Sequence, residues 1–183
     1  MNENVFMQTE KEILKPYLEN LLGVYLYGSY ARNEQTINSD VDILVIADTK
    51  LRIMDKIGYF HLVSSTSEEI EGILEHNAVL ILPIIKEAKT IINPNLLEKY
   101  GKQRFTKKNT EQFLASTKKI LELNQKGLKL EFEIGSLIYS LMLRIRGLLM
   151  IKVSCINQLY SKSLLLVYLR NNNMPKEKIE ELY

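Results

Sequence analysis

Apolar positions change their period along this chain, and the changes divide it into elements. Ile13, Leu14, Tyr17 and Leu21 recur at helical intervals behind Thr9 and Glu12, which have capping-box spacing. A helix is therefore predicted from Thr9 to Leu22, with a kink at Pro16. Gly23-Val24-Tyr25-Leu26-Tyr27 is a short β-rich run, Val41 to Ala47 a second strand, and Tyr59-Phe60-His61-Leu62-Val63 a third. Ser67 is expected to cap a helix through Glu75, with Glu68, Glu69 and Glu71 near its positive end. From Ala78 to Ile92, Pro83 breaks a run of aliphatics that suits strand and helix equally.

Beyond Tyr100-Gly101-Lys102 the period is helical throughout. Thr106 opens a helix to about Gln125, Phe132 to about Ser154 is a second, and Ser161 to about Arg170 a third. Asn171-Asn172-Asn173 reads as a turn before a last short helix opened by Pro175. In the second helix Phe132, Ile138, Leu141, Met142, Ile145, Leu148 and Leu149 form a broad stripe that demands burial against neighbours. The expected architecture is an α/β or α+β sheet domain over residues 1–100 followed by an all-α helical bundle over residues 101–183.

Composition narrows this picture without changing it. With 183 residues, 46% apolar and 25% charged, the chain has the makings of a folded protein of one large domain, or of a standard domain plus a smaller one. Its one cysteine, Cys155, leaves no pair for an intrachain disulfide and no Cys-based zinc site, so the cytoplasm is the expected compartment. The opening residues lack the basic start, apolar centre and cleavage site of an export signal. Ile134 to Val153 is long enough to span a bilayer, but Arg144, Arg146 and Lys152 interrupt it, and a buried helix of a soluble protein is expected there instead. The net charge of +2 conceals a split: residues 1–100 carry nine Lys/Arg against fifteen Asp/Glu, residues 101–183 fifteen against seven. Residues 101–183 also lack Asp altogether, so the composition shift coincides with the change of period.

The candidate chemistry lies in Tyr27-Gly28-Ser29-Tyr30-Ala31-Arg32 and in Ser39-Asp40-Val41-Asp42, which enters the second strand. Gly28-Ser29 ends an apolar strand; a residue without a side chain there lets backbone N–H groups approach an anion, and the hydroxyl adds a donor. Asp40 and Asp42, two residues apart, point to one face of a strand, where both carboxylates can hold one or two divalent ions. A metal beside a phosphate cradle is the equipment for phosphoryl or nucleotidyl transfer, because the charge on a triphosphate must be neutralised for attack at phosphorus. Either device alone is commonplace; ten residues apart between apolar strands, they are far more specific.

Together these residues resemble the signature of the DNA polymerase β-like nucleotidyltransferase superfamily, and Gly-Ser-x-Ala-Arg with Ser-Asp-x-Asp is most similar to its minimal nucleotidyltransferases, antitoxin-type proteins among them. The motif covers residues 27–45. The resemblance implies an α+β fold with a small mixed sheet, Gly28 and Ser29 on nucleotide phosphates, Asp40 and Asp42 on Mg²⁺, and an NTP, by family habit ATP, as donor of NMP to a hydroxyl with release of pyrophosphate. The acceptor would be a small molecule or a protein side chain. Members usually supply a third acidic residue from the next strand, where this chain holds His61. His61 is read either as a general base or neutral metal ligand, or as a hydrogen-bonded structural residue, with Glu75 and Glu87 as acids that would substitute from elsewhere. Arg32 has two readings, a triphosphate contact and an ion pair with Glu34; Ser39 has three, orienting Asp40, touching phosphate, or a plain loop residue.

The bundle broadly resembles the HEPN-type helices found beside such domains, but no histidine follows His76, so the Arg-x(4–6)-His ribonuclease signature is missing. Arg144 and Arg146 either face an acceptor cleft or are snorkelling or paired. Lys107-Lys108 and Lys118-Lys119 lack interleaved aromatics, and with a near-neutral chain nucleic acid is not the expected partner. The alternative to an enzyme is a nucleotide-binding, antitoxin-like regulator that lacks the third acid and acts through a protein partner. A homodimer through the apolar bundle helices is the other association considered.

Overall fold

The computed structural model of the chain describes residues 19–51 and 56–172. Its element order is β1 (Leu21–Tyr27), α1 (Gly28–Arg32), β2 (Val41–Ala47), β3 (Lys56–Ile57), β4 (Phe60–Thr66), α2 (Ser67–His76), a 3₁₀ turn (Ala78–Leu80), α3 (Leu82–Glu87), β5 (Lys89–Ile92), α4 (Pro94–Gly101), α5 (Lys107–Lys129), α6 (Ile134–Ser154) and α7 (Lys162–Asn171). The strands form one mixed sheet in the order β3-β4-β2-β1-β5, in which β2 and β4 are parallel and the other pairs antiparallel. An α+β fold is what the periods and the motif called for.

The differences from the sequence reading lie at element boundaries. The helix expected from Thr9 falls outside the described residues up to position 18, as does the last helix at Pro175. Glu19 and Asn20 form a 3₁₀ turn, and Leu21 and Leu22 already belong to β1, because pairing with β2 starts at Leu21 opposite Ala47. The third strand runs on to Thr66, drawn out by parallel pairing along the whole of β2, from Val41 with Phe60 to Ala47 with Thr66. The helix after it is capped by Thr66 rather than Ser67: the Glu69 N–H donates to the Thr66 hydroxyl at 3.1 Å, and the Thr66 N–H donates back to the Glu69 carboxylate at 3.1 Å. The ambiguous Ala78–Ile92 stretch resolves into turn, helix and edge strand. Asn93 fixes the next turn by donating to the Leu22 carbonyl and accepting from the Asn95 N–H, while buried Tyr25 donates its hydroxyl to the Asn93 carbonyl at 2.7 Å.

The described residues cluster into two compact units. One takes those up to Leu74 together with Ile84–Gln103; the other takes Glu75–Pro83 together with those from Arg104 onward. In the first, Val24, Leu26, Val41, Ile43, Val45 and Leu62 form the centre of the core on one face of the sheet. Leu44 and Ile46 are buried on the other face, which Asp42 shares. This strand is thus an apolar anchor, with its carboxylate at the open end.

In the second unit, Thr106 caps α5 in a reciprocal pair with Asn109. The α6 helix is not the buried helix that its composition suggested. Leu137, Gly147, Leu149 and Val153 are its buried residues, whereas Ile138 and Leu148 of the expected stripe are exposed, as is Phe132 just before the helix, so the stripe is covered over only part of its width among the described residues. By length and composition this helix is one that could cross a membrane. Its cations lie over aromatic rings: Arg144 over Phe113 at 5.3 Å, Arg146 over Tyr160 at 5.6 Å and Lys152 over Tyr168 at 5.3 Å. Gly147 lets α6 approach α5 closely, since a Cβ there would stand 2.2 Å from Cζ of Phe113. Gly147→Ala gains about 1 kcal/mol of helix propensity but forces that ring aside at about 1–3 kcal/mol and disturbs the Arg144 contact. A lower melting temperature by calorimetry is the expected outcome.

Candidate functional site

The site begins where β1 becomes α1 without a loop. Tyr27 is still extended, with φ −132° and ψ −170°, and Gly28 turns the chain at φ +72°, a conformation that side-chain-bearing residues adopt at a cost. The short helix stops at Asn33 in the left-handed region, and the Glu34 N–H closes back on the Ser29 carbonyl at 2.9 Å. The loop that follows is held by Ser39, whose hydroxyl oxygen accepts from the Thr36 N–H at 2.9 Å and lies 3.2 Å from the Thr36 hydroxyl. The structure therefore places Ser39 as a loop-closing residue.

Sheet register then lines up four residues across neighbouring strands: Lys56 of β3 opposite His61 of β4, His61 opposite Asp42 of β2, and Asp42 opposite Tyr27 of β1. Paired residues share a face of a sheet, so Asp42 stands in the middle of this row. His61 Nδ1 lies 3.2 Å from Asp42 Oδ1, and Lys56 Nζ lies 3.1 and 3.2 Å from the two carboxylate oxygens of Asp40. The other Asp42 oxygen, Oδ2, reaches the turn: it is 2.1 Å from the position that a Cβ on Gly28 would take. The Gly28 turn and Asp42, separate in sequence, meet in space; His61 is beside Asp42, and Asp40 is near enough for its charge to act on Asp42.

Burial raises the Asp42 pKa above the usual carboxylate range, against the hydrogen bond and charge of His61 and with a further push from the negative charge of Asp40. The Tyr27 hydroxyl is held above its ordinary value by burial, with the charges of Asp42 and Glu87 adding to it.

Arg32 is engaged twice. Its Nε donates to Glu34 at 2.8 Å and its Nη1 to Glu87 Oε2 at 2.8 Å, so the ion pair with Glu34 is present and a second acid, distant in sequence, joins it. Burial opposes the Arg32 charge, and the bonds and charges of the two glutamates more than offset it. The other oxygen of Glu87 accepts from the Gly28 N–H at 2.9 Å. Glu75, by contrast, pairs with Lys108 at 2.7 Å in the second unit. Two residues that touch the site carry no sign of that role in the sequence: Lys56, and Glu87 as the partner of Gly28 and Arg32. No local spacing signals either, because 16 residues separate Asp40 from Lys56 and 59 separate Gly28 from Glu87.

Among the described residues no three His, Cys, Asp or Glu side chains gather into a metal-holding group. Mg²⁺ is usually bound through one or two carboxylates, with waters and substrate phosphates completing its shell. The hard oxygens of Asp40 and Asp42 suit that donor set in kind and number, and Asp40 is near enough to perturb Asp42 electrostatically.

The family model "Polymerase beta, Nucleotidyltransferase" matches residues 8–100. A Methanocaldococcus jannaschii relative named "Putative protein adenylyltransferase MJ1547" is 33% identical over 82 residues, with 43% of this chain covered. The chain spans 62% of that relative's length. A solved structure described as "Crystal structure of the toxin-antitoxin with AMP-PNP" aligns with a TM-score of 0.38 at 17% identity, covering 71% of this chain and 95% of that one.

Proposed function

The chain belongs to the polymerase β nucleotidyltransferase family, and on that premise we propose that it transfers NMP from an NTP, with ATP as donor, to a hydroxyl, releasing pyrophosphate. The observation that carries this reading is the approach of Asp42 Oδ2 to the Gly28 turn, which brings a carboxylate and a backbone anion cradle to one ligand-sized place. Gly28 and Ser29 receive the phosphates, and Asp40 and Asp42 hold Mg²⁺, which when bound supplies charge neutralisation on the triphosphate. His61 donates Nδ1–H to Asp42 and so presents Nε2 as the acceptor of the hydroxyl proton; its side chain is 45% exposed, open to an incoming substrate. The relative's name favours a protein hydroxyl, such as that of tyrosine, over a small molecule. The residues from 101 onward would contribute acceptor binding, their excess of basic charge suiting an acidic partner.

The second reading, a nucleotide-binding regulator acting through a protein partner, is favoured by His61 standing directly opposite Asp42, where the family usually supplies another acid. The two part in one assay: the protein is incubated with Mg²⁺, ATP labelled at the α-phosphate, and a panel of tyrosine-bearing proteins and small hydroxylated compounds. Label transfer with pyrophosphate release is expected. His61→Ala should lower transfer about a hundredfold while changing nucleotide affinity by less than about threefold. Nucleotide binding without release across the whole panel would decide for the regulator.

A further inference from the structure

Glu87 closes α3, and an acidic residue at a helix C-terminus opposes the helix dipole, so its own helix gives no reason for it. Its surroundings do. The carboxylate is nearly buried, at 9% exposure, and its two oxygens are shared between two donors: Oε1 on the Gly28 N–H at 2.9 Å, Oε2 on Arg32 Nη1 at 2.8 Å. A backbone N–H at a glycine turn and one arm of a guanidinium form the donor set that a phosphate oxygen pair would take.

The geometry points to Glu87 as an internal occupant of the anion-binding turn, a carboxylate seated on the Gly28 N–H and Arg32 that the phosphates of the nucleotide must displace. The inference rests on the reading of that turn as the phosphate site. A single N–H donates its one hydrogen to one acceptor at a time, and a triphosphate beside an ionised Glu87 would add to the repulsion from Asp42. Binding and displacement are therefore coupled, and Glu87 sets nucleotide affinity by competition. Arg32 does not depend on Glu87 for its position, because Glu34 holds its Nε. Once Glu87 turns out, the freed Nη1 arm can serve the incoming phosphates.

The test is calorimetric titration of the full chain, in Mg²⁺, with two probes: a non-hydrolysable ATP analogue and inorganic tripolyphosphate. In Glu87→Gln the neutral amide is a weaker acceptor and its NH₂ cannot pair with Arg32. Both probes are expected to bind about tenfold tighter than to the wild type, the loss of about one charge-assisted hydrogen bond from the competing state. Glu71→Gln, whose carboxylate pairs with Lys99 and touches neither Gly28 nor Arg32, should change both by less than about twofold. Glu87→Asp, one carbon too short to span both donors, should shift both probes in the same direction by a smaller factor; it serves if the glutamine variant does not fold. Equal or weaker binding of both probes to a folded Glu87 variant overturns the inference and leaves the phosphate reading standing. So does a gain confined to the nucleotide, or failure of both variants to fold. Absence of binding to wild type and variant alike removes the phosphate reading itself, and the inference with it.

Discussion

Asp42→Asn lowers nucleotidyl transfer by at least about a hundredfold and raises the melting temperature. The loss follows from geometry: Asp42 reaches both the Gly28 turn and His61, and an amide there neither attracts a divalent cation nor stabilises a protonated imidazole. A deficit of about 3 kcal/mol in transition-state stabilisation, modest for a residue in such a place, is already more than a hundredfold in rate. The gain in stability follows from the raised pKa, whose first cause is burial. A carboxylate that holds its proton more tightly folded than unfolded favours the native state below its native pKa, and this contribution is lost as pH rises through that value. At neutral pH the ionised Asp42 is thus a cost to the fold, which the isosteric amide removes while still accepting from His61. The measurement is a pair of melts across the acidic range. The wild type should lose ground on the variant as pH rises just above the ordinary carboxylate range, and a variant that melts lower at pH 7 would contradict this account.

Gly28→Ala should be the most damaging small substitution in the first unit. The backbone at φ +72° charges any L-residue about 1–3 kcal/mol, and the new Cβ would stand 2.1 Å from Asp42 Oδ2, so the carboxylate has to swing away. With the crowding added, the fold loses about 2–4 kcal/mol, and nucleotide binding and transfer fall together because the turn and the carboxylate can no longer share a ligand. Denaturant unfolding and nucleotide titration of the same sample check both parts. Unaltered transfer by a folded Gly28→Ala protein would mean that phosphates do not approach this turn.

The strands were legible because a strand that is an apolar run says so itself: Val41 to Ala47 is a strand in the sheet, and Asp42 stands on it where the alternation put it. The helix caps at Thr106 and Ser161 were legible for the same reason, since a cap acts over three residues. The cap falls on Thr66, one residue before the expected Ser67, because two hydroxyl residues compete there and strand pairing decides which of them the helix inherits. The α6 stripe showed that the helix is amphipathic but not how much of it is covered, since coverage depends on the area its neighbours offer and not on its own sequence. At the site, Arg32 and Glu34 are two residues apart and their pairing could be foreseen, whereas Lys56 on Asp40 and Glu87 on Gly28 could not.

Local order alone therefore determined the sheet-forming segments, the glycine turn after β1 and the spacing of the two aspartates, because backbone preference and side-chain alternation act between residues close along the chain. Folding in three dimensions decided which charges meet. Parallel pairing of β4 with β2 put His61 against Asp42, the β3–β4 hairpin brought Lys56 over, and the α3 helix delivered Glu87 to Gly28. Such long-range electrostatic partners leave no periodic trace, since one contact between distant residues imposes no pattern on those around it.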